Sequence, residues 1–214
     1  MQEELKDSEK QPSETVLSHV AGVILAGGKS SRYGKNKAFE GVDGVPLIER
    51  VIRVMGAVFR NVILITNSPE EYAHLNVAME EDLIKGLGPI GGIYTALSSV
   101  SQEAGFFVAC DMPFLDQGLI RYMVKAGVGY EAVVPMISGK TEALHALYDK
   151  RCLPYIRAMI NAGDYQVFRF YPKVRMRYMT EPEIRRFDPE LRSFHNINRP
   201  GDLAIFKKTF KEGN

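Results

Sequence analysis

From Val20 onward, apolar β-forming runs alternate with amphipathic segments of helix length, and this alternation restricts the fold more than any other feature. "VAGVIL" (Val20–Leu25) reads as a strand. "PLIERVIRVMGAVF" (Pro46–Phe59) reads as a helix with Pro46 in its first turn and Leu47, Val51, Val54, Met55 and Val58 along one face. "NVILIT" (Asn61–Thr66) is a second buried strand, and "SPEEYAHL" suits a short helix capped by Ser68. Another helix starts after Gly88–Pro89 in "GPIGGIYTALSSV", and "GFFVAC" (Gly105–Cys110) is a third strand. "DQGLIRYMVKAG" follows, a helix capped by Asp116 and stopped by Gly127. "EAVVPM" and "ALHALY" read as two more strands, "RCLPYIRAMINAG" as a helix and "RPGDLAIFKKTF" as a closing helix. These strands lack strict polar–apolar alternation, so the pattern predicts a parallel sheet covered on both faces, in the α/β class.

At 214 residues the chain suffices for one well-cored domain, and no Pro/Gly-rich linker divides Val20 from Phe210. The organisation expected is a disordered polar tail over 1–18, without the hydrophobic segment of a signal peptide, and a single domain over 19–214. With a formal net charge of +1 the molecule as a whole is not built to bind nucleic acid, so any anion site must be a local cluster. Two cysteines, Cys110 and Cys152, are too few for a disulfide framework and read as small buried hydrophobes in a reducing, cytoplasmic setting. No apolar run approaches the roughly 20 residues of a membrane helix, so no membrane association is expected.

An open α/β sheet binds ligands outside the carboxyl ends of its strands. The segments just past those ends are Ala26–Lys37, Asn67–Ser68 and Asp111–Met112–Pro113. Each alone reads as a turn; together they read as one polar edge. The first has the parts of a phosphate cradle, with Gly27 and Gly28 for close backbone approach, then Lys29, Arg32, Lys35 and Lys37. It is not a P-loop, because Asn36 stands where the hydroxyl residue after Lys35 is required, and no G-x-G-x-x-G follows Leu25. Asp111 is the complementary half. A lone carboxylate beside phosphates repels them unless a cation intervenes, and Mg²⁺ is commonly held by one or two carboxylates plus substrate phosphates.

"LAGGKSSRYGKNKAF" resembles the LAGGxSxRMGxxKA signature of the molybdenum cofactor guanylyltransferases, within the wider α/β nucleotidyltransferases. "EEDLIKGLGPIGGIYTAL" is similar to that family's D…GPLxGI segment, "ACDMPFL" to its CDMP block, "LHALY" to its HAVY-like strand and "FHNINRPGDL" to its terminal NxNTPEDL. The blocks occur in the family's order from about Val20 to Ala204. The departures are Tyr33 for Met, Ile90 for Leu, Ala143 for a common Pro, Arg199 for Thr, and Arg169 as a loose match to an Arg-rich patch. Asn67 follows its strand as a family asparagine does, in a different register.

The resemblance implies a three-layer, Rossmann-like nucleotidyltransferase fold with a mostly parallel central sheet. It also implies an enzyme that transfers GMP from GTP to the terminal phosphate of molybdopterin, releasing pyrophosphate. By matched position, Leu25, Ala26 and Gly27 would contact the nucleotide, Lys37 its phosphates, and Asp82 the guanine. Asp111 would bind Mg²⁺, with Arg32 and Lys37 stabilising charge on the α-phosphate and the leaving pyrophosphate. His145 reads equally as a substrate contact or as a strand histidine; Asn196 and Asn198 read as pterin or metal contacts or as turn residues. The cofactor's onward partners would be molybdoenzymes or cofactor-carrier proteins. The alternatives are a cytidylyltransferase of the same cofactor, a sugar-1-phosphate nucleotidyltransferase, or a non-catalytic nucleotide-binding protein.

Overall fold

The structure, a computed structural model, describes residues 17–27, 41–42, 44–197 and 202. Its elements run β1 (Val20–Leu25), a two-stranded antiparallel ribbon of β2 (Gly41–Val42) and β3 (Val45–Pro46), α1 (Leu47–Val58), β4 (Val62–Ile65), α2 (Pro69–Tyr72) and β5 (Ala78–Glu80). They continue with α3 (Pro89–Ser99), β6 (Ala104–Ala109), α4 (Gln117–Ala126), β7 (Ala132–Ile137), β8 (Lys140–Thr141) and β9 (His145–Asp149). The last described elements are α5 (Leu153–Asn161), a 3-10 stretch over Val167–Lys173, β10 (Met176–Thr180), α6 (Glu181–Arg185) and a 3-10 turn at Arg192–Phe194.

The main sheet has the order β10-β7-β9-β6-β1-β4-β5, with β8 added beside β7. Strand residues alternate between two cores. Val20 and Ile24 of β1 and Phe106 and Val108 of β6 join Val51 and Met55 of α1 and Leu119 and Met123 of α4 on one face. Val23, Leu25 and Phe107 join Ile90, Ile93 and Leu97 of α3 and Ile156 of α5 on the other. Phe106 and Phe107 are both fully buried, and each such side chain contributes roughly 1.5–3 kcal/mol. Helices therefore cover both faces of the sheet, giving three layers.

Pairing is parallel for β1 with β4 and β6, for β4 with β5, and for β7 with β10. The sheet is mostly parallel, as expected, and the main departure is β9, which runs antiparallel to both β6 and β7. The cause is local: only the turn carrying β8 separates β7 from β9, too short for the crossover that parallel neighbours need. Both sheet edges carry little signal in the sequence, because β5 and β10 are short and partly exposed, without a continuous apolar run.

Local signals fared unevenly. The Asp116 carboxylate accepts from the Leu119 N–H at 2.7 Å, as an N-cap should. Gly127 ends α4 with φ −77, and its reason for being glycine is space: a Cβ there would lie 2.4 Å from Leu147 Cδ2. Ser68 precedes α2 without a side-chain cap; its own N–H donates to Thr66 Oγ1 at 3.2 Å, and Pro69 opens the helix. Pro46 precedes α1 rather than lying in its first turn, and Ile48 is buried where Val54 was expected. The closing helix lies outside the described residues, as does the tail up to residue 16. Leu17 packs against the first core.

The order of the sheet fixes where a ligand belongs. From β1 the chain moves outward through β4 to β5, then returns to lay β6 on the opposite side of β1. The crevice at the carboxyl ends of β1 and β6 is therefore the topological switch point.

Candidate active site

Backbone hydrogen bonds tie the strands together just past their ends. The Ala26 N–H donates to Ile65 O at 2.9 Å, the Thr66 N–H to Glu80 O at 3.0 Å and the Cys110 N–H to Leu25 O at 3.1 Å. One rigid edge thus carries the first residues of three loops. The Ile197 N–H donates to Asp111 O at 2.9 Å, which draws the chain around Asn196 to this edge, and the Ile197 side chain is buried with Leu47 against Phe114.

At the switch point stand Ala26, Gly27 and Asp111. Leu25 turns its side chain into the second core, over Gly92, where a Cβ would come within 2.9 Å of Leu25 Cδ2. It can meet a ligand only through its backbone. Ala26 is buried, whereas Gly27 is exposed and a Cβ built on it has no neighbour within 4 Å among the described residues. Asp111 is half-buried. Gly28, Lys29, Arg32, Lys35, Lys37 and Asn198 lie outside the described residues.

Asp82 sits two residues past β5, three strand positions from β6, or about 14 Å along the edge at normal inter-strand spacing. That span is comparable to a nucleoside triphosphate from base to phosphates. Asn67, just beyond β4, clasps Asp82 at two points: Asn67 Nδ2 donates to Asp82 Oδ2 at 2.7 Å, and Asn67 Oδ1 accepts from the Asp82 N–H at 3.3 Å. The second carboxylate oxygen, Asp82 Oδ1, is buried and has no hydrogen-bond partner among the described residues. A buried carboxylate oxygen left this way costs free energy unless a ligand donates to it. The local sign of Asn67 in the sequence is an amide just past a buried strand.

Two other groups drop out of the chemistry. Burial and the neighbouring Asp111 charge push the Cys110 thiol up to about 12, so it stays protonated near neutral pH and is a poor nucleophile. His145 is fully buried against Phe106 and Phe194, with ring centroids 5.4 and 4.7 Å away, and therefore does not touch substrate. Burial lowers its pKa to about 4, although Asp188 and the Ser193 backbone pull the other way. Among the described residues no cluster of three or more His, Cys, Asp or Glu side chains could hold a metal. A single carboxylate at the switch point, Asp111, suits a Mg²⁺ that would take its remaining ligands from substrate and water.

The sequence from residue 22 to 176 matches the family of the MobA-like NTP transferase domain. The chain belongs to that family. It is therefore a nucleotidyltransferase, with the Rossmann-like fold expected of one. It is 38% identical over 188 residues to a probable molybdenum cofactor guanylyltransferase of Pelotomaculum thermopropionicum, covering 88% of this chain and 92% of that one. It is 36% identical over 199 residues to a molybdenum cofactor guanylyltransferase of Desulfosudis oleivorans, covering 92% and 98%. Among solved structures it resembles molybdopterin-guanine dinucleotide biosynthesis protein A of Archaeoglobus fulgidus, with TM-score 0.78, 26% identity and coverage of 90% and 99%. In this MobA-like chain no described helix is long and apolar enough to cross a membrane.

Proposed function

We propose that the protein transfers GMP from GTP to the terminal phosphate of molybdopterin, releasing pyrophosphate and forming the guanine dinucleotide cofactor. The named relatives supply the molybdopterin half of this reading. The guanine half, which those names also carry, is supported here by the Asn67–Asp82 clasp, which fixes a carboxylate and leaves its Oδ1 buried and unmatched among the described residues. Guanine presents two adjacent donors, N1–H and the 2-amino group, to such a carboxylate. Adenine and cytosine do not present that pair.

In the transfer, an oxygen of the acceptor phosphate attacks the α-phosphorus of GTP. The bond from that phosphorus to the β-phosphate oxygen breaks, and pyrophosphate leaves with the electron pair. The acceptor phosphate is ionised near neutral pH, so no general base is required, and the protein's task is positioning and charge neutralisation. Ala26 and Gly27 bring the backbone close to the nucleotide, Asp82 orients the base, and Lys37 and Arg32 supply positive charge to the phosphates. Asp111 would hold Mg²⁺, which when bound neutralises charge on the α-phosphate and the departing pyrophosphate. The protein works in the cytoplasm, where its free Cys110 and Cys152 stay reduced, and passes its product to a molybdoenzyme or a carrier protein.

The test is pyrophosphate release from GTP and Mg²⁺ with and without molybdopterin, beside the same pair of reactions with CTP. Release from GTP that depends on molybdopterin is the expected result. Equal use of CTP, or release without molybdopterin, overturns the reading.

A further inference from the structure

Asp82 is only as well placed as the loop behind it, and that loop, Glu81–Gly88, has little core of its own. Leu83 and Ile84 are exposed, and Lys85 pairs with Glu81 at 2.6 Å on the surface. The turns need Gly86 and Gly88, at φ +85 and +67. What fixes the loop comes from beneath, out of α3. The Leu83 N–H, one residue after Asp82, donates to Thr95 Oγ1 at 2.9 Å. One turn earlier in α3 the loop presses on the helix itself: a Cβ on Gly91 would lie 3.1 Å from Leu87 Cβ and 3.3 Å from Ile84 O.

Thr95 is fully buried in the middle of α3, whose Ile93, Ala96 and Leu97 belong to the second core. Nothing in the apolar packing asks for a hydroxyl there. Valine would fill the same volume, and a buried hydroxyl costs free energy unless it finds a partner. The Leu83 amide is that partner. We infer that Thr95 is a specificity-determining positioning residue: its buried hydroxyl sets the height of the Asp82 loop over α3, and so the fit of the Asp82 carboxylate to guanine. This rests on the guanine reading of Asp82. Asn67 fixes the carboxylate from one side and Thr95 fixes the following peptide from below, so that rotation of Asp82 about its own backbone is blocked at both ends.

Thr95→Val keeps the shape and removes the acceptor, and Thr95→Ser restores it. Wild type should bind GTP more tightly than ITP, whose base lacks the 2-amino group. In Thr95→Val that preference should shrink about fivefold to tenfold, the worth of one hydrogen bond, through the KM for GTP rather than through kcat. Thr95→Ser should recover it. In native-state hydrogen exchange the Leu83 amide should lose protection in Thr95→Val while the amides of β1 keep theirs. Should Thr95→Val not fold, Thr95→Ala carries the same comparison. A folded variant with the wild-type preference for GTP over ITP, or with unchanged protection at Leu83, overturns the inference. A wild type that does not distinguish GTP from ITP and CTP overturns the guanine reading instead, and the exchange at Leu83 then still decides whether Thr95 pins the loop.

Discussion

Asp82→Asn is the sharpest perturbation of this site, because the structure fixes one carboxylate oxygen and leaves the other to the ligand. Asn67 Nδ2 holds Oδ2 at 2.7 Å, and an asparagine at 82 keeps an oxygen there for the same bond. The amide group then replaces Oδ1, the oxygen that is buried and unmatched. Where guanine's N1–H and amino group met an acceptor, they now meet a donor. A hydrogen bond to a charged group is worth roughly 1.5–3 kcal/mol, so GTP should bind about 10- to 100-fold more weakly. XTP should gain, because xanthine carries a carbonyl oxygen in place of the amino group and accepts from the new amide. The fold should hold, since the Asn67 contacts survive. The assay is competition binding of GTP, XTP and ITP to wild type and variant, with thermal melting as the control for folding. A folded Asp82→Asn protein with an unchanged ratio of GTP to XTP affinity would refute the argument that Asp82 Oδ1 reads the base.

Asp111→Asn preserves size but removes the negative charge at the switch point, so turnover should fall roughly 10²-fold or more with little change in melting temperature; a folded variant with near-normal GMP transfer would remove Asp111 from the metal role. Gly27→Ala should leave melting unchanged, since no atom of the described residues lies within 4 Å of the added Cβ, and should weaken GTP more than CTP if the larger purine approaches that backbone; a loss of stability, or an equal effect on both nucleotides, goes against this. His145 has its pKa lowered to about 4 by burial, against about 6.5 in the unfolded chain, so it contributes stability that is fully present above pH 6.5 and lost as pH falls through 4. The loss amounts to about 3 kcal/mol at most, and a melting temperature in His145→Leu that falls as steeply as wild type between pH 6.5 and 4 would refute that contribution.

Local chemistry and periodicity, both visible in one dimension, determined much of this protein. The runs at Val20–Leu25, Val62–Ile65 and Ala104–Ala109 had to be strands buried on both faces, because residues on each side of the pleat are apolar. Asp116 was legible as a cap, since a carboxylate before an amphipathic segment can accept from the free amides of the first turn, whereas the same signal at Ser68 yields no side-chain cap. The polar residues after the strands were legible as one edge of the sheet, and Asp111 was legible there as a lone carboxylate. Tertiary structure decided what depends on contacts between distant residues. The antiparallel course of β9 follows from a short turn and from the vacant position beside β6, and no property of "HALYD" reports direction. His145 could be a ligand or a core residue until Phe106 and Phe194 were seen to enclose it. The clasp of Asn67 on Asp82 joins residues 15 apart, and the bond from Leu83 to Thr95 joins residues 12 apart. An asparagine after a strand, or a threonine in a helix, has the same local preferences whatever lies across from it. Only the return of the chain through β5 and α3 brings the partners within hydrogen-bond distance, and directional bonds of that kind leave no period in the sequence.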